Sequence, residues 1–339
     1  MDAPTDHTQP PRRLDRKLAH ILEGRYAAAD FVIADAKDAD MAFGLAAAGL
    51  VPGVTAGGVR PGRHRTRETY LEAMRSLVEQ DVVDILLTSA SNGERLARDG
   101  SFGTSVTLAI RANDSSDIWN HRNGTYTSRP SRPFRTALLS AVQPFCDLVL
   151  YSVTFNNDRD ADLATLEAYS AFRQEAAELG IRHFLEVFNP NAAELSRDQV
   201  GPFVNDSIVR SLAGVTSAHR PVFLKMAYNG ASALAELVEH DSSMVVGVLG
   251  GSAGTTRDTF ELLHRVERNG GRVALFGRKI QHAESQLDLV QLMPLVLRGE
   301  LDPGEAVRAY HEGLREAGCS PHRALEDDLQ VTDPALLAE

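Results

Sequence analysis

A single lysine interrupts the apolar segment at residues 221–230, which reads PVFLKMAYNG. Strand alternation places Lys225 on the face of Phe223, and Leu224 with Met226 on the opposite face. If Leu224 and Met226 pack under helices, the lysine points into the protein interior. Burial disfavours an ammonium ion, and a neutral amine can attack a carbonyl carbon to form a Schiff base. The alternative is a lysine that reaches water from a strand end.

Two carboxylates stand in other apolar runs. Asp35 closes the run at residues 31–35, and Glu186 lies inside the run at residues 183–188. A glutamate buried in an apolar strand needs a partner, and Lys225 is a candidate. Such a pair could move protons around a Schiff base. The alternatives are a turn-forming aspartate at position 35 and a purely structural ion pair at position 186.

Small and basic residues follow the last two apolar runs. They are Gly250, Gly251, Ser252, Gly277 and Arg278. Glycines let backbone N–H groups approach an anion, and the N-terminus of the helix expected at residues 256–269 would add donors. An arginine can grip a phosphate with two hydrogen bonds. We therefore expect a phosphate-binding site here, although tight turns also use glycine.

The order of elements predicts one architecture. Eight strand-like runs alternate with segments of helical periodicity, at residues 31–35, 82–88, 104–111, 147–154, 183–188, 222–227, 244–249 and 273–277. This pattern is typical of a (β/α)8 TIM barrel, whose active residues sit at the C-terminal ends of the strands. The rival is an open doubly wound sheet, which would normally show a G-x-G-x-x-G turn after its first strand. We expect an N-terminal arm at residues 1–27, of which the first 16 are loose, a barrel at 28–316 and a tail at 317–339.

One connection is unusually long. Residues 112–133 are polar and contain Arg122, Arg129 and Arg132. Long loops in compact domains are often lids or binding loops. The alternative is an insertion that is merely solvated. If the substrate carries two phosphates, this loop is the candidate second anion site.

Composition narrows the classes of function. The 339 residues carry 35 basic and 46 acidic side chains, a net charge of −11. That charge disfavours nucleic acid and anionic membranes as partners. Two cysteines and scattered histidines predict neither a disulfide framework nor a metal site. The polar start and the lack of a long apolar run lead us to expect a cytoplasmic protein without a membrane span.

These residues together resemble the class I, Schiff-base-forming aldolase superfamily of (β/α)8 barrels. That superfamily includes archaeal-type fructose-bisphosphate, deoxyribose-phosphate and tagatose-bisphosphate aldolases. The resemblance covers residues 28–316 and is most specific over 222–281. It implies that Lys225 forms the Schiff base and that Asp35 and Glu186 assist catalysis. It also implies that the glycine-rich loops bind phosphate, and that neither a metal nor an organic cofactor is needed.

The run at residues 222–281, with the acidic segment at 324–328, is similar to a bacterial barrel family found with inositol breakdown. That likeness implies cleavage of 2-deoxy-5-keto-gluconate 6-phosphate to dihydroxyacetone phosphate and malonate semialdehyde. We therefore expect a homo-oligomeric aldolase that acts on a phosphorylated ketose or keto acid. The alternatives are a transaldolase-like enzyme, a phosphosugar isomerase, and a non-catalytic barrel that only binds phosphosugars.

Overall fold

Eight parallel strands form a closed barrel in the computed structural model, which describes residues 11–51, 63–103 and 105–337. Neighbouring strands pair in chain order, and the last strand pairs with the first. The strands are β1 (Val32–Lys37), β2 (Ile85–Thr88), β3 (Thr107–Arg111), β4 (Leu148–Thr154), β5 (Arg182–Phe188), β6 (Leu224–Met226), β7 (Val246–Leu249) and β8 (Val273–Phe276). The predicted TIM barrel is confirmed, and the open-sheet alternative is wrong.

Each predicted strand run contains one barrel strand, with differences at the ends. β1 continues to Lys37, two residues beyond the expected end, because Lys37 pairs in register with Thr88 of β2. β2 begins at Ile85 rather than at residue 82. Thr104, where the third strand was expected to start, lies outside the described residues.

Helices surround the barrel. In the described ranges they are α1 (Arg13–Leu22), α2 (Asp40–Phe43), α3 (Arg67–Gln80), α4 (Ala90–Arg98), α5 (Leu139–Val142), α6 (Arg159–Glu178), α7 (Arg197–Leu212), α8 (Ala231–His240), α9 (Thr256–Arg268), α10 (Arg278–Gln281), α11 (Gln286–Leu297), α12 (Pro303–Glu316), α13 (Leu325–Asp328) and α14 (Pro334–Leu337). None of these helices has the length and apolar character needed to cross a membrane.

Alternate residues of each strand face opposite sides of the sheet. On β1, Ala34 and Ala36 belong to the apolar cluster inside the barrel, and Ile33 belongs to the cluster between the sheet and the helices. Phe184 of β5 and Phe223 of β6 stack inside the barrel with ring centroids 4.5 Å apart. This alternation decides which polar residues can reach the interior at the C-terminal end.

Helix α1 closes the N-terminal end of the barrel. Leu14 and Leu18 are buried in the interior cluster. Asp84, fully buried just before β2, accepts hydrogen bonds from Arg13 and Lys17 of α1, both at 2.8 Å. The expectation of a loose arm is therefore wrong for residues 13–16, which belong to α1.

The segment after α12 docks on the first turn of α9. Asp328 accepts a hydrogen bond from the Thr256 N–H at 2.8 Å. Asp258 of α9 accepts the N–H groups of Thr332 and Asp333, at 2.7 and 3.0 Å. Asp328 therefore satisfies a helix-end donor that would otherwise be open, and Asp258 of the same helix holds the docked segment in return.

We expect Asp84→Asn to lower the free energy of unfolding by about 3 kcal/mol, because it leaves Arg13 and Lys17 without their buried carboxylate. The matched control is Asp81→Asn. Asp81 is a half-exposed partner of Arg13, so its loss should cost less than about 1 kcal/mol. Urea denaturation at neutral pH measures both values. Equal, small losses would show that Asp84 does not anchor α1.

Candidate active site

A cavity of about 180 Å³ opens at the C-terminal ends of the barrel strands. Its polar and charged lining comes from several strand ends and from the loops that follow them. These residues are Asp38, Arg111, Asn120, Glu186, Lys225 and Arg278. Four of these six come from different barrel strands or the residue just after one, as expected for an active site in this fold.

Lys225 and Glu186 form an ion pair at the bottom of this cavity. The two residues are register partners on β6 and β5, and Lys225 Nζ lies 2.5 Å from Glu186 Oε1. Lys225 is 4% exposed and Glu186 is 2% exposed. Lys225 faces the interior, as strand alternation predicted, and Glu186 is the partner that its burial required.

Glu186 is held in place through its second oxygen. Ser152 of β4 donates a hydrogen bond to Glu186 Oε2 at 2.7 Å, and Arg111 of β3 lies 3.2 Å from the same atom. Each carboxylate oxygen therefore has its own partners. This leaves Oε1 directed at the lysine, where it can exchange a proton with the amine.

Arg111 links the buried carboxylates around the Lys225–Glu186 pair. It donates to Asp38 at 2.6 Å and to Ser152 at 2.7 Å, and it lies 3.3 Å from Asp114. Burial alone would lower the pKa of the Arg111 guanidinium, but Glu186, Asp38 and Asp114 together raise it above its ordinary value. Arg111 is therefore a permanent cation whose donors are already engaged.

Asp38, rather than Asp35, is the first-strand carboxylate of the cavity. Burial would raise the pKa of Asp38, but Arg111 and Lys225 outweigh that effect and hold it below its usual value. Asp35 is fully buried on the outward face of β1, where its Oδ1 lies 3.1 Å from Lys37 Nζ. Burial raises the pKa of Asp35 to about 6, although Lys37 opposes the shift. The expectation that Asp35 reaches the active centre is wrong.

The predicted phosphate loops meet at one side of the cavity. Gly250, Gly251, Gly277 and Arg278 line it, and Ser252 is exposed and does not. Side chains are crowded out at both strand ends. A Cβ at Gly277 would lie 3.0 Å from the Ala36 carbonyl oxygen, and one at Gly250 would lie 3.0 Å from a ring carbon of Phe276.

The N-terminus of α9 does not supply the free donors that the sequence suggested. The Thr256 N–H donates to Asp328, and the Thr255 N–H donates to Asp258 at 2.9 Å. These carboxylates already occupy the position that an anion would take at the helix end. The charge on this side of the cavity therefore comes from Arg278, whose pKa burial lowers.

Part of the long connection after β3 roofs the cavity. Ile118 and Asn120 line it from above. The Asp117 carboxylate holds this segment by accepting hydrogen bonds from Thr154 at 2.8 Å and from Ser131 at 2.6 Å. This placement favours a binding loop over a solvated insertion.

The arginines of the same connection do not line the cavity. Arg122, Arg129 and Arg132 are exposed and are not among its lining residues. The base of the loop is a short antiparallel ladder between Asp114–Ser115 and Pro133–Phe134. The second anion site that these arginines suggested is therefore not formed.

Within the described ranges, no group of three or more histidine, cysteine, aspartate or glutamate side chains is arranged to hold a metal ion. The cavity instead presents an amine, carboxylates and a guanidinium. These groups can bind a carbonyl compound covalently, transfer protons and attract an anion.

No protein-family model matches the sequence, and no curated protein matches it. Solved structures do. One is an archaeal fructose-1,6-bisphosphate aldolase, solved with its catalytic lysine covalently bound to the carbinolamine intermediate of the substrate. It superposes with a TM-score of 0.59 at 16% sequence identity, and the match covers 84% of this chain and 100% of that one. The fructose-bisphosphate aldolase of Slackia heliotrinireducens superposes with a TM-score of 0.62 at 13% identity, and the match covers 92% of this chain and 96% of that one.

This chain has the barrel of those aldolases. A Corynebacterium glutamicum protein also superposes, with a TM-score of 0.57 at 17% identity over 85% of this chain and 94% of that one. At such low identity the likeness to these aldolase barrels establishes the fold. The chemistry has to be argued from the residues of this chain.

Sequence reasoning missed several polar residues of the site, three of them in or directly after barrel strands. Asp38 follows β1, Arg111 ends β3 and Ser152 lies in β4. Alternation from the interior residue Ala109 would have placed Arg111 inside the barrel, because the two are two positions apart. Ser152 gave no such signal, since a serine is compatible with either face.

Proposed function

We propose that this protein is a Schiff-base aldolase that cleaves a phosphorylated ketose or keto acid. The observation that carries the proposal is the pairing of Lys225 Nζ with Glu186 Oε1, at 2.5 Å, inside a cavity at the C-terminal end of the barrel. A binding site alone needs no amine at that depth. The aldolase barrels with which the chain superposes support the same reading.

The reaction begins with proton transfer from the Lys225 ammonium to Glu186. The free amine attacks the substrate carbonyl to give a carbinolamine, which loses water to form an iminium ion. A carboxylate then removes the proton of the hydroxyl group on the far side of the scissile bond. The carbon–carbon bond breaks, its electron pair moves into the iminium to form an enamine, and an aldehyde leaves.

The enamine carbon then takes a proton, and water hydrolyses the resulting iminium to release the second product and the lysine. Glu186 and Asp38 are the carboxylates placed for these transfers. Glu186 is in direct contact with the amine, and Asp38 lines the same cavity, 2.6 Å from Arg111. We assign the main proton transfer to Glu186 because it touches the reacting nitrogen.

We assign the substrate phosphate to the side formed by Gly250, Gly251, Gly277 and Arg278. Among the cations that line the cavity, Lys225 and Arg111 are paired with carboxylates, whereas Arg278 is exposed at the rim. One available cation suits a substrate with one phosphate better than a bisphosphate. A keto acid phosphate such as 2-deoxy-5-keto-gluconate 6-phosphate, cleaved to dihydroxyacetone phosphate and malonate semialdehyde, meets that condition.

Reduction with borohydride in the presence of substrate should attach the substrate to Lys225 alone. A panel of phosphorylated ketoses and keto acids, followed by digestion and mass spectrometry, identifies both the lysine and the substrate. Lys279 is the strongest competitor, because burial lowers its pKa to about 8. Lys225→Met should abolish the adduct, and Lys225→Arg should do so while keeping a positive charge beside Glu186. An adduct on Lys279 or Lys37 would reject the assignment.

We expect Glu186→Gln to lower turnover by about 10²–10⁴-fold, the usual contribution of general acid–base catalysis, with borohydride trapping retained. Glutamine keeps the size of the side chain but cannot accept the proton. Asp35→Asn is the matched control, because it changes a buried carboxylate outside the cavity and should preserve turnover of the folded protein. Near-normal turnover in the Glu186 variant would move the proton transfer to Asp38.

Arg278→Ala should raise the activation free energy that kcat/KM reports for phosphorylated substrates by about 1.5–3 kcal/mol, the range for a hydrogen bond to a charged group. The dephosphorylated analogue should be nearly unaffected, because it has no group for the arginine to bind. Arg122→Ala, at an exposed arginine outside the cavity, is the control. An equal fractional loss for both substrates would mean that Arg278 has only a structural role.

A further inference from the structure

A second cavity, of about 230 Å³, lies on the other side of the loop between β7 and α9. Its walls come from that loop, from α10 with the residues after it, and from the segment that follows α12. The charged and titratable residues in its lining are Lys279, His282, Glu284, His322 and Arg323. We call this cavity the rear cleft.

Lys279 is the buried charge of the rear cleft. It is 4% exposed, and the acceptor within reach of its Nζ among the described residues is the Ala253 carbonyl oxygen, at 3.4 Å. An ammonium group has three donors and a high cost of burial without partners. A lysine buried with one long contact points to a missing anionic partner.

The nearby carboxylates already have their own partners. Glu284 accepts the Tyr310 hydroxyl at 3.1 Å and the His322 N–H at 2.5 Å. Asp258 accepts hydrogen bonds from the N–H of Thr255, just before α9, and from the Thr332 hydroxyl. The charges of Asp258 and Asp333 favour the Lys279 ammonium, but within the described ranges neither carboxylate forms an ion pair with it.

The rear cleft contains a second cation, and its lining carboxylate Glu284 lies 3.4 Å from the Nδ1 atom of His322. Arg323 is that cation, and its closest carboxylate is Asp328 at 3.9 Å. His282 and His322 contribute ring nitrogens that can donate hydrogen bonds. The hydroxyl-bearing side chains Thr256 and Thr259 complete a lining suited to an oxyanion.

We propose that the rear cleft is a second anion-binding site, distinct from the catalytic cavity, that takes a phosphate group between Lys279 and Arg323. Lys279 also connects the two cavities, because a Cβ at Gly250 would lie 3.4 Å from Lys279 Cδ. An anion bound to Lys279 would hold the loop whose other face lines the catalytic cavity. The phosphate comes either from a free effector or from a substrate long enough to pass the loop.

The test is calorimetric titration of inorganic phosphate into the full chain in a phosphate-free buffer. Lys279→Met keeps the aliphatic stem beside Gly250 and removes the charge, and Arg323→Met removes the exposed cation. Each should weaken phosphate binding at the rear cleft tenfold or more, as loss of a hydrogen bond to a charged group predicts. Arg315→Met, at an exposed arginine of α12, should bind like the unchanged protein, and Arg278→Ala should keep the rear-cleft site.

No measurable phosphate binding, or binding unchanged by both Lys279→Met and Arg323→Met, would overturn the proposal. So would complete loss of binding in Arg278→Ala. An accompanying rise in KM for phosphorylated substrate in Lys279→Met would assign the site to the phosphate of the substrate, and an unchanged KM would assign it to a separate effector. The titration involves no imine, so its result does not depend on the proposed aldolase chemistry.

Discussion

The burial of charge at the C-terminal end of the barrel is the constraint on which the rest of the site depends. Asp38, Asp114 and Glu186 share this layer with Arg111 and Lys225. None of these charges could be buried alone, because the desolvation cost of each is several kcal/mol. The guanidinium of Arg111, with donors in several directions, orients the carboxylates so that one oxygen of Glu186 remains for the lysine.

This layer also affects where in the cavity an anionic group can bind. Its carboxylates repel a phosphate, so an anionic group is expected at the opposite wall, where Arg278 and the glycine-rich strand ends lie. The reacting carbonyl must then reach Lys225 from that wall. Ile118 and Asn120 cover the space between, held there through Asp117. Under the proposed function, the substrate is held by its phosphate, its carbonyl and the segment that covers the cavity.

The sequence predicted the barrel and the inward lysine because both follow from short-range periodicity. Around Lys225 the opposite face carries large apolar residues, so the alternation allows one assignment of the inward and outward faces. In β1 both faces carry small or apolar residues, so the sequence alone does not decide which face points into the barrel. The interior takes Ala34 and Ala36, so Asp35 falls on the outer face and Asp38, beyond the strand, enters the cavity. A shift of one residue exchanges the faces of a whole strand.

Helix α9 illustrates a different limit of prediction from sequence. Its N-terminus follows a glycine-rich loop, a pattern that favours anion binding, yet the anions it binds belong to the protein itself. Asp328 lies 72 positions away in the chain, and no local pattern reveals that it caps this helix. Because Asp328 and Asp258 take the N–H groups of Thr256 and Thr255, this helix end is not available to an external phosphate on either side of the loop. Arg278 faces the catalytic cavity and Lys279 the rear cleft, so two adjacent residues of one short helix serve the two proposed anion sites.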